Sequence, residues 1–340
     1  MAVGDRARLA AGCALLAVVL LAAPGVLSTY WLDVLTEAAI YAIVALGLGM
    51  LMGRVGLVSL GQVALLALGA WISARLSFAT SLPFGVVLLA AGATTGVLGT
   101  LLGLPALRLS GLFLALITLM LAGAVTVVLT STQFPNGGHG FLAHTDATAG
   151  SHAVARPSLG KSDPGYFRYT VVVAVAMALV ALVHLRSKAG RAWAAIRQSE
   201  AAALAAGVNI TLYKLWALAL ASFVTGVAGG LLAGDVGRLY IVQFPTSANI
   251  LLLAALLMGG AYSLWGAVVA GCLVKLLPAL LDSWGLPPDL LTILFGLGIL
   301  QVLVAAPGGL AAQVPRDLAR LRARVAGPVR RLRAAERSAS

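Results

Sequence analysis

The sequence predicts an all-α protein, a polytopic transmembrane helical bundle of about ten spans, and three observations carry that prediction. Of 340 residues, 61% are hydrophobic and only 10% are charged, whereas soluble domains hold roughly 45–50% apolar and about 25% charged residues. The mean hydropathy is +1.01, and the apolar residues fall in runs near the length of about 20 that a helix needs to cross a bilayer. Aromatic residues make up 6% and Gly contributes 39 positions, which suits helices packed closely in lipid; a β-barrel shows short alternating segments instead. This composition excludes a water-soluble enzyme.

Apolar runs bounded by charge, Pro or Gly place helices at 9–27, 33–52, 55–74, 82–104, 111–130, 169–185, 212–234, 246–262, 264–281 and 289–306. The first follows Arg6 and Arg8 as a signal peptide would, but its apolar stretch is too long for a signal core and predicts a retained helix. The second begins with Asp33 and Glu37, one helical turn apart, and the third is interrupted by Gly53, Gly56 and Gly61. Gly92, Gly96, Gly99 and Gly103 in the fourth, and Gly226, Gly230 and Gly234 in the seventh, repeat at the spacing that lets helix backbones approach. Residues 131–168 are long, polar and rich in Pro and Gly, and predict an external loop. Asp235 ends the seventh helix, Gly259, Gly260 and Gly266 blur the end of the eighth, and the ninth contains Lys275. Interrupted helices of this kind line pathways in transporters, because backbone groups freed at membrane depth need protein or water as partners.

Charge sets the orientation. Of the net +12, most resides in three places: the first eight residues, residues 186–214 with Arg186, Lys188, Arg191, Arg197 and Lys214 against Glu200, and residues 313–340 with eight Arg against Asp317 and Glu336. An even number of spans puts all three on one side, which the positive-inside rule makes cytoplasmic. Both termini are then cytoplasmic, residues 1–312 form the membrane domain, and 313–340 are an Arg-rich tail facing anionic lipid rather than nucleic acid.

Other motifs offer no chemistry. Gly160-Lys161-Ser162 has Ala155 where a phosphate-binding loop needs its first Gly, and no strand before it or helix directly after it. His139, His144, Asp146 and His152 match no closed metal site, and Cys13 and Cys272 lie inside apolar runs. No metal, cofactor or catalytic group is expected, so any ATP must be bound by another subunit. Lys275 is the most interior ionisable group; it either snorkels to the outer surface or contacts a solute.

The most informative stretch is 186–211. Its Ala and Leu density predicts one helix with Gly207 as its stop, Trp193, Ile196 and Leu204 near one face, and Arg191 and Arg197 at the flanks. The small, Ala-rich apolar face suits a groove on another protein better than a lipid surface. Gly56-Leu-Val-Ser59-Leu60-Gly61 also faintly echoes Gly260-Ala-Tyr-Ser263-Leu264-Trp265-Gly266, as an internal repeat would.

Glu200-Ala201-Ala202 followed by Gly207 resembles the coupling loop of ABC-importer permeases. Its spacing is similar to that of the branched-chain amino-acid permease branch. Leu57-Val-Ser59-Leu60-Gly61-Gln62, Leu107-Arg108 through Thr118-Leu119, Met258-Gly259-Gly260 through Gly266, and Pro307-Gly308-Gly309-Leu310 resemble the same family, so the likeness spans roughly residues 35–312. The sequence departs from the family pattern at Asn136-Gly137-Gly138-His139-Gly140, at Tyr262 in place of a usual Gly, and at Lys275 in place of an apolar residue.

The resemblance implies a permease subunit that works by alternating access with a second homologous permease, two ATP-binding subunits and an extracytoplasmic solute-binding protein, in a prokaryotic cell membrane. It implies ATPase coupling at Gly190, Arg191, Ile196, Arg197, Glu200, Ala201, Ala202 and Gly207. Ser59, Gln62, Thr118 and Lys275 are candidates for the solute pathway, the first three alternatively as caps of interrupted backbone. Branched-chain amino acids, urea or short amides are all admissible cargo, and an ion-coupled secondary transporter is the competing class.

Overall fold

The computed structural model describes residues 24–105, 111–131, 156–157, 160–237, 239–287, 290, 293–298 and 300. The predicted first helix up to residue 23, residues 132–155 of the external loop, most of 289–306 and the tail 313–340 lie outside the described residues.

The elements are α1 (Thr29–Met50, continued by a π turn Leu51–Val55), α2 (Gln62–Ala79), α3 (Phe84–Gly103), α4 (Leu112–Ser131) and α5 (Asp163–Arg186). They continue with α6 (Lys188–Gln198), α7 (Glu200–Ala205), α8 (Ile210–Val236), α9 (Ala248–Gly259) and α10 (Leu264–Ser283). Among the described residues, seven helices are long and apolar enough to cross a membrane, and Ala248–Gly259 is a shorter apolar helix. The all-helical class predicted from composition holds.

Helix α8 is the core, buried along most of its length between α2 and α3. The glycine spacing explains how three backbones share that space. A side chain at Gly99 would strike Ser222, one at Gly103 would strike Leu218, and Gly69 and Gly229 bring the backbones of α2 and α8 into direct contact. Phe84 lies by Gly234 and Gly103 by Leu218, so α3 runs antiparallel to α8. Helix α10 packs on α1 with Gly271 against the backbone of Ala38 and Ala42. By contrast α4 leaves Phe113, Met120, Val127 and Val128 exposed, as a helix facing lipid or another subunit would.

Several predicted boundaries need correction. The third helix does not begin at 55: α1 runs on through its π turn to a stop at Gly56, φ +84°, the left-handed region that suits Gly. Residues 56–61 are then non-helical, and α2 begins only at Gln62. The sixth predicted helix starts at Asp163 rather than 169, because Ser162 caps it by accepting from Gly165 N–H at 3.3 Å and Pro164 sits in its first turn. A helix therefore does follow Gly160-Lys161-Ser162 directly. The stretch 186–211 holds two helices where one was predicted, since Ser199 adopts extended geometry, φ −162°, and caps α7.

Candidate functional site: a helix pair at one end of the bundle and two interior helix starts

Helices α6 and α7 project from the end of the bundle where α5 stops and α8 starts. Ser187 caps α6, accepting from Ala189 N–H at 3.2 Å while its hydroxyl donates to His184 O at 2.7 Å. Gly190 leaves no room for a side chain beside the Leu185 carbonyl, which sets the sharp entry into α6. Trp193 and Ile196 are buried, and Trp193 Nε1–H donates to the Tyr213 carbonyl at 2.8 Å, tying α6 to the first turn of α8. Leu204, predicted to share their face, is instead 63% exposed; the break at Ser199 rotates α7 so that Ala203 turns inward.

Glu200 begins α7, where a carboxylate favours the helix dipole. It also receives Lys214 Nζ at 2.7 Å, and Lys214 itself is 6% exposed. Gly207 ends α7 at φ +79°, with its N–H donating to Leu204 O at 2.9 Å and Val208 N–H to Ala203 O at 3.0 Å. Between α7 and α8 lies an open depression of about 590 Å³ lined by Glu200, Leu204, Gly207, Val208, Asn209, Ile210, Thr211 and Lys214. Arg191, Ala201 and Ala202 face outward. Arg197 points back instead: Nη1 donates to the Gly53 carbonyl at 2.6 Å and the guanidinium lies 4.4 Å over the Tyr262 ring.

The pathway candidates converge at a second place. Leu60 N–H donates to Thr118 Oγ1 at 2.8 Å, Thr225 Oγ1–H donates to Gln62 Oε1 at 2.7 Å, and Val63 N–H donates to Asn249 Oδ1 at 2.8 Å. Thr225 is near the middle of α8 and Asn249 starts α9, so α2 and α9 both begin inside the bundle. The freed N–H groups there are met by side chains, as a low-dielectric interior requires. Ser59 is buried beside them. Thr225 and Asn249 were not singled out from sequence; Asn249, a buried amide at the head of an apolar run, was the available signal.

Lys275 does not join this group. Neither does it snorkel: Nζ stands 2.6 Å from Glu37 Oε2 and 4.8 Å from the Tyr41 ring centre, because a carboxylate on α1 faces it across the packed pair. Nearby, Arg156 pairs with Asp163 at 2.5 Å and Asp235 at 3.7 Å, and donates to the carbonyls of Gly234 and Asp235 at the end of α8. Arg156 was not anticipated. The candidate metal residues His139, His144, Asp146 and His152 lie outside the described residues.

The family described as branched-chain amino acid transport system / permease component matches residues 30–303. The chain is 30% identical over 277 residues to the high-affinity branched-chain amino acid transport system permease protein LivM of Salmonella typhimurium. The match to LivM of Escherichia coli is also 30% over 277 residues, and each alignment covers 76% of this chain. The chain spans 65% of the length of these relatives. No solved structure matches it. With seven helices long and apolar enough to cross a membrane and a family match over nearly the whole described fold, this chain is an integral cell-membrane protein of the branched-chain amino acid transport system permease family.

Proposed function

We propose that the chain is the permease subunit of an ATP-driven importer, carrying branched-chain amino acids or related small polar solutes across the inner membrane by alternating access. It works with a second homologous permease, two ATP-binding subunits and an extracytoplasmic binding protein, and itself hydrolyses nothing. The observation that carries this reading is the α6–α7 pair. Its inner face is fixed to the bundle through Trp193, Ile196 and Arg197, while Arg191, Ala201, Ala202 and Leu204 are left outward beside an open depression. A rigid attachment with a free outer face is what a motor subunit needs in order to push on helices it does not touch.

The orientation that follows from charge puts this pair, together with both termini, in the cytoplasm. ATP binding then shifts the permease between two conformations only if the ATPases bind those conformations unequally. The interior starts of α2 and α9 are the natural solute contacts, since they hold the buried Gln62, Asn249, Thr118 and Ser59 around backbone that is already non-helical.

Vesicles holding the complete complex test the reading. Wild type is expected to take up leucine only with ATP and the binding protein present. Gly207→Pro removes the N–H that donates to Leu204 O and forbids φ +79°, and Glu200→Lys opposes Lys214. Both are expected to insert normally and to lose uptake. Uptake driven by an ion gradient without ATPase subunits overturns the reading in favour of a secondary transporter.

A further inference from the structure

We propose that Arg197 is a positioning residue: a clamp that passes movement of the docking helix α6 to the π turn that closes α1, ahead of the interior start of α2, and to the turn that joins α9 to α10. The proposal rests on the permease reading above. Its geometry is specific. The guanidinium makes a directional hydrogen bond to the Gly53 carbonyl, 2.6 Å away in the π turn that closes α1, and lays its flat face 4.4 Å over the ring of Tyr262, in the turn before α10. These two targets form a single unit. Arg54 Nη2 donates to the Tyr262 carbonyl at 3.1 Å, and Gly53 carries no side chain because the Ala261 carbonyl fills the space one would need.

Helix α6 is therefore held at two points by two different parts of the bundle. Trp193 binds it to α8, and Arg197 binds it to the joined ends of α1 and α10. The chain leaving Gly53 runs through residues 56–61 to Gln62, so a pull at Gly53 reaches the buried polar cluster within one short non-helical segment. Two left-handed glycines, Gly56 at φ +84° and Gly260 at φ +111°, flank the clamp and supply the bends it acts on. The residue types matter. Arg offers a planar face and a fixed fork at once, which the point charge of Lys does not, and an aromatic ring attracts a cation through its face. Tyr262 is the position where a small residue would leave Arg197 with a single anchor.

The alternative is that Arg197 acts by touching an ATPase subunit directly. The test uses vesicles with the full wild-type complex and reads leucine uptake per ATP hydrolysed. Arg197→Lys and Tyr262→Leu are each expected to lower that ratio at least fivefold, and Tyr262→Phe, which keeps the ring, to hold it within twofold of wild type. The Arg197→Lys/Tyr262→Leu double variant is expected to be no worse than the lower single variant, because both break one device. The Tyr262 variants are expected to purify with ATPase subunits in wild-type proportion. Ratios within twofold of wild type for both single variants, a loss with Arg197→Lys alone, or a loss that only tracks missing ATPase subunits each overturn the clamp. A wild-type complex with no ATP-driven uptake refutes the permease reading and takes this proposal with it.

Discussion

Trp193 donates its indole N–H to the Tyr213 carbonyl at 2.8 Å, and through that bond the wholly buried ring pins α6 to the first turn of the central helix α8. Trp193→Ala removes the ring and the bond together and is expected to cost about 3–5 kcal/mol, in line with large-to-small changes at buried sites. Trp193→Phe keeps most of the volume and is expected to cost about 1–2 kcal/mol. Thermal unfolding in detergent measures both, and protease cleavage within 186–211 is expected to rise sharply for the Ala variant only.

Lys275 and Glu37 join α10 to α1 with both side chains 30% exposed. Lys275→Met leaves Glu37 facing Tyr41 without a cation and is expected to destabilise by about 2 kcal/mol, below the 3–5 kcal/mol of a fully buried pair. The Lys275→Met/Glu37→Gln double variant is expected to recover most of that loss. A double-mutant cycle on unfolding temperature checks it, and additive losses would mean the pair is not coupled.

Helix packing around α8 predicts a contrast between two glycines. Gly69→Ala drives a methyl into the Gly226 backbone and is expected to destabilise by about 1–3 kcal/mol. Gly123 in α4 has open space where a side chain would stand, so Gly123→Ala is expected to be neutral or to stabilise by up to about 1 kcal/mol through reduced backbone entropy. Comparable effects at both positions would contradict the close approach of α2 and α8.

Asn249→Leu leaves the Val63 N–H without its acceptor at the buried start of α2. An orphaned donor of this kind costs about 1–3 kcal/mol. A lower unfolding temperature, with α2 amides exchanging faster with solvent, is the expected result.

Much of this was legible in the sequence because lipid imposes simple rules. Runs of apolar residues marked α1, α3, α4, α8 and α10 to within a few residues, and glycine spacing announced the packing of α3 and α8. The failures have two causes: a polar contact from a distant element, or a local side-chain cap that hydropathy does not register. Gly56 and Gly61 marked an interruption inside the apolar run 55–74, but not that helix resumes only at Gln62, which depends on the partners that Thr118 and Asn249 supply to the Leu60 and Val63 N–H groups. Ser199 sits in an Ala-rich, helix-forming stretch and still splits it, because its side chain caps α7. Lys275 looked like a snorkelling side chain since Glu37, its partner, lies far away in sequence. The stop at Gly207 was legible in the sequence, whereas the inward turn of Arg197 depends on Gly53 and Tyr262, both distant in sequence, and was not.

The central claim is that α6 and α7 are where the motor subunits act. Photo-crosslinkers placed at Ala201 and Ala202, which face outward on α7, test it most directly in the assembled, transporting complex. A crosslink to an ATPase subunit is expected from both positions and none from exposed Ser81, which the orientation set by charge places on the opposite side of the membrane. Active complex that yields no crosslink from either α7 position would contradict it.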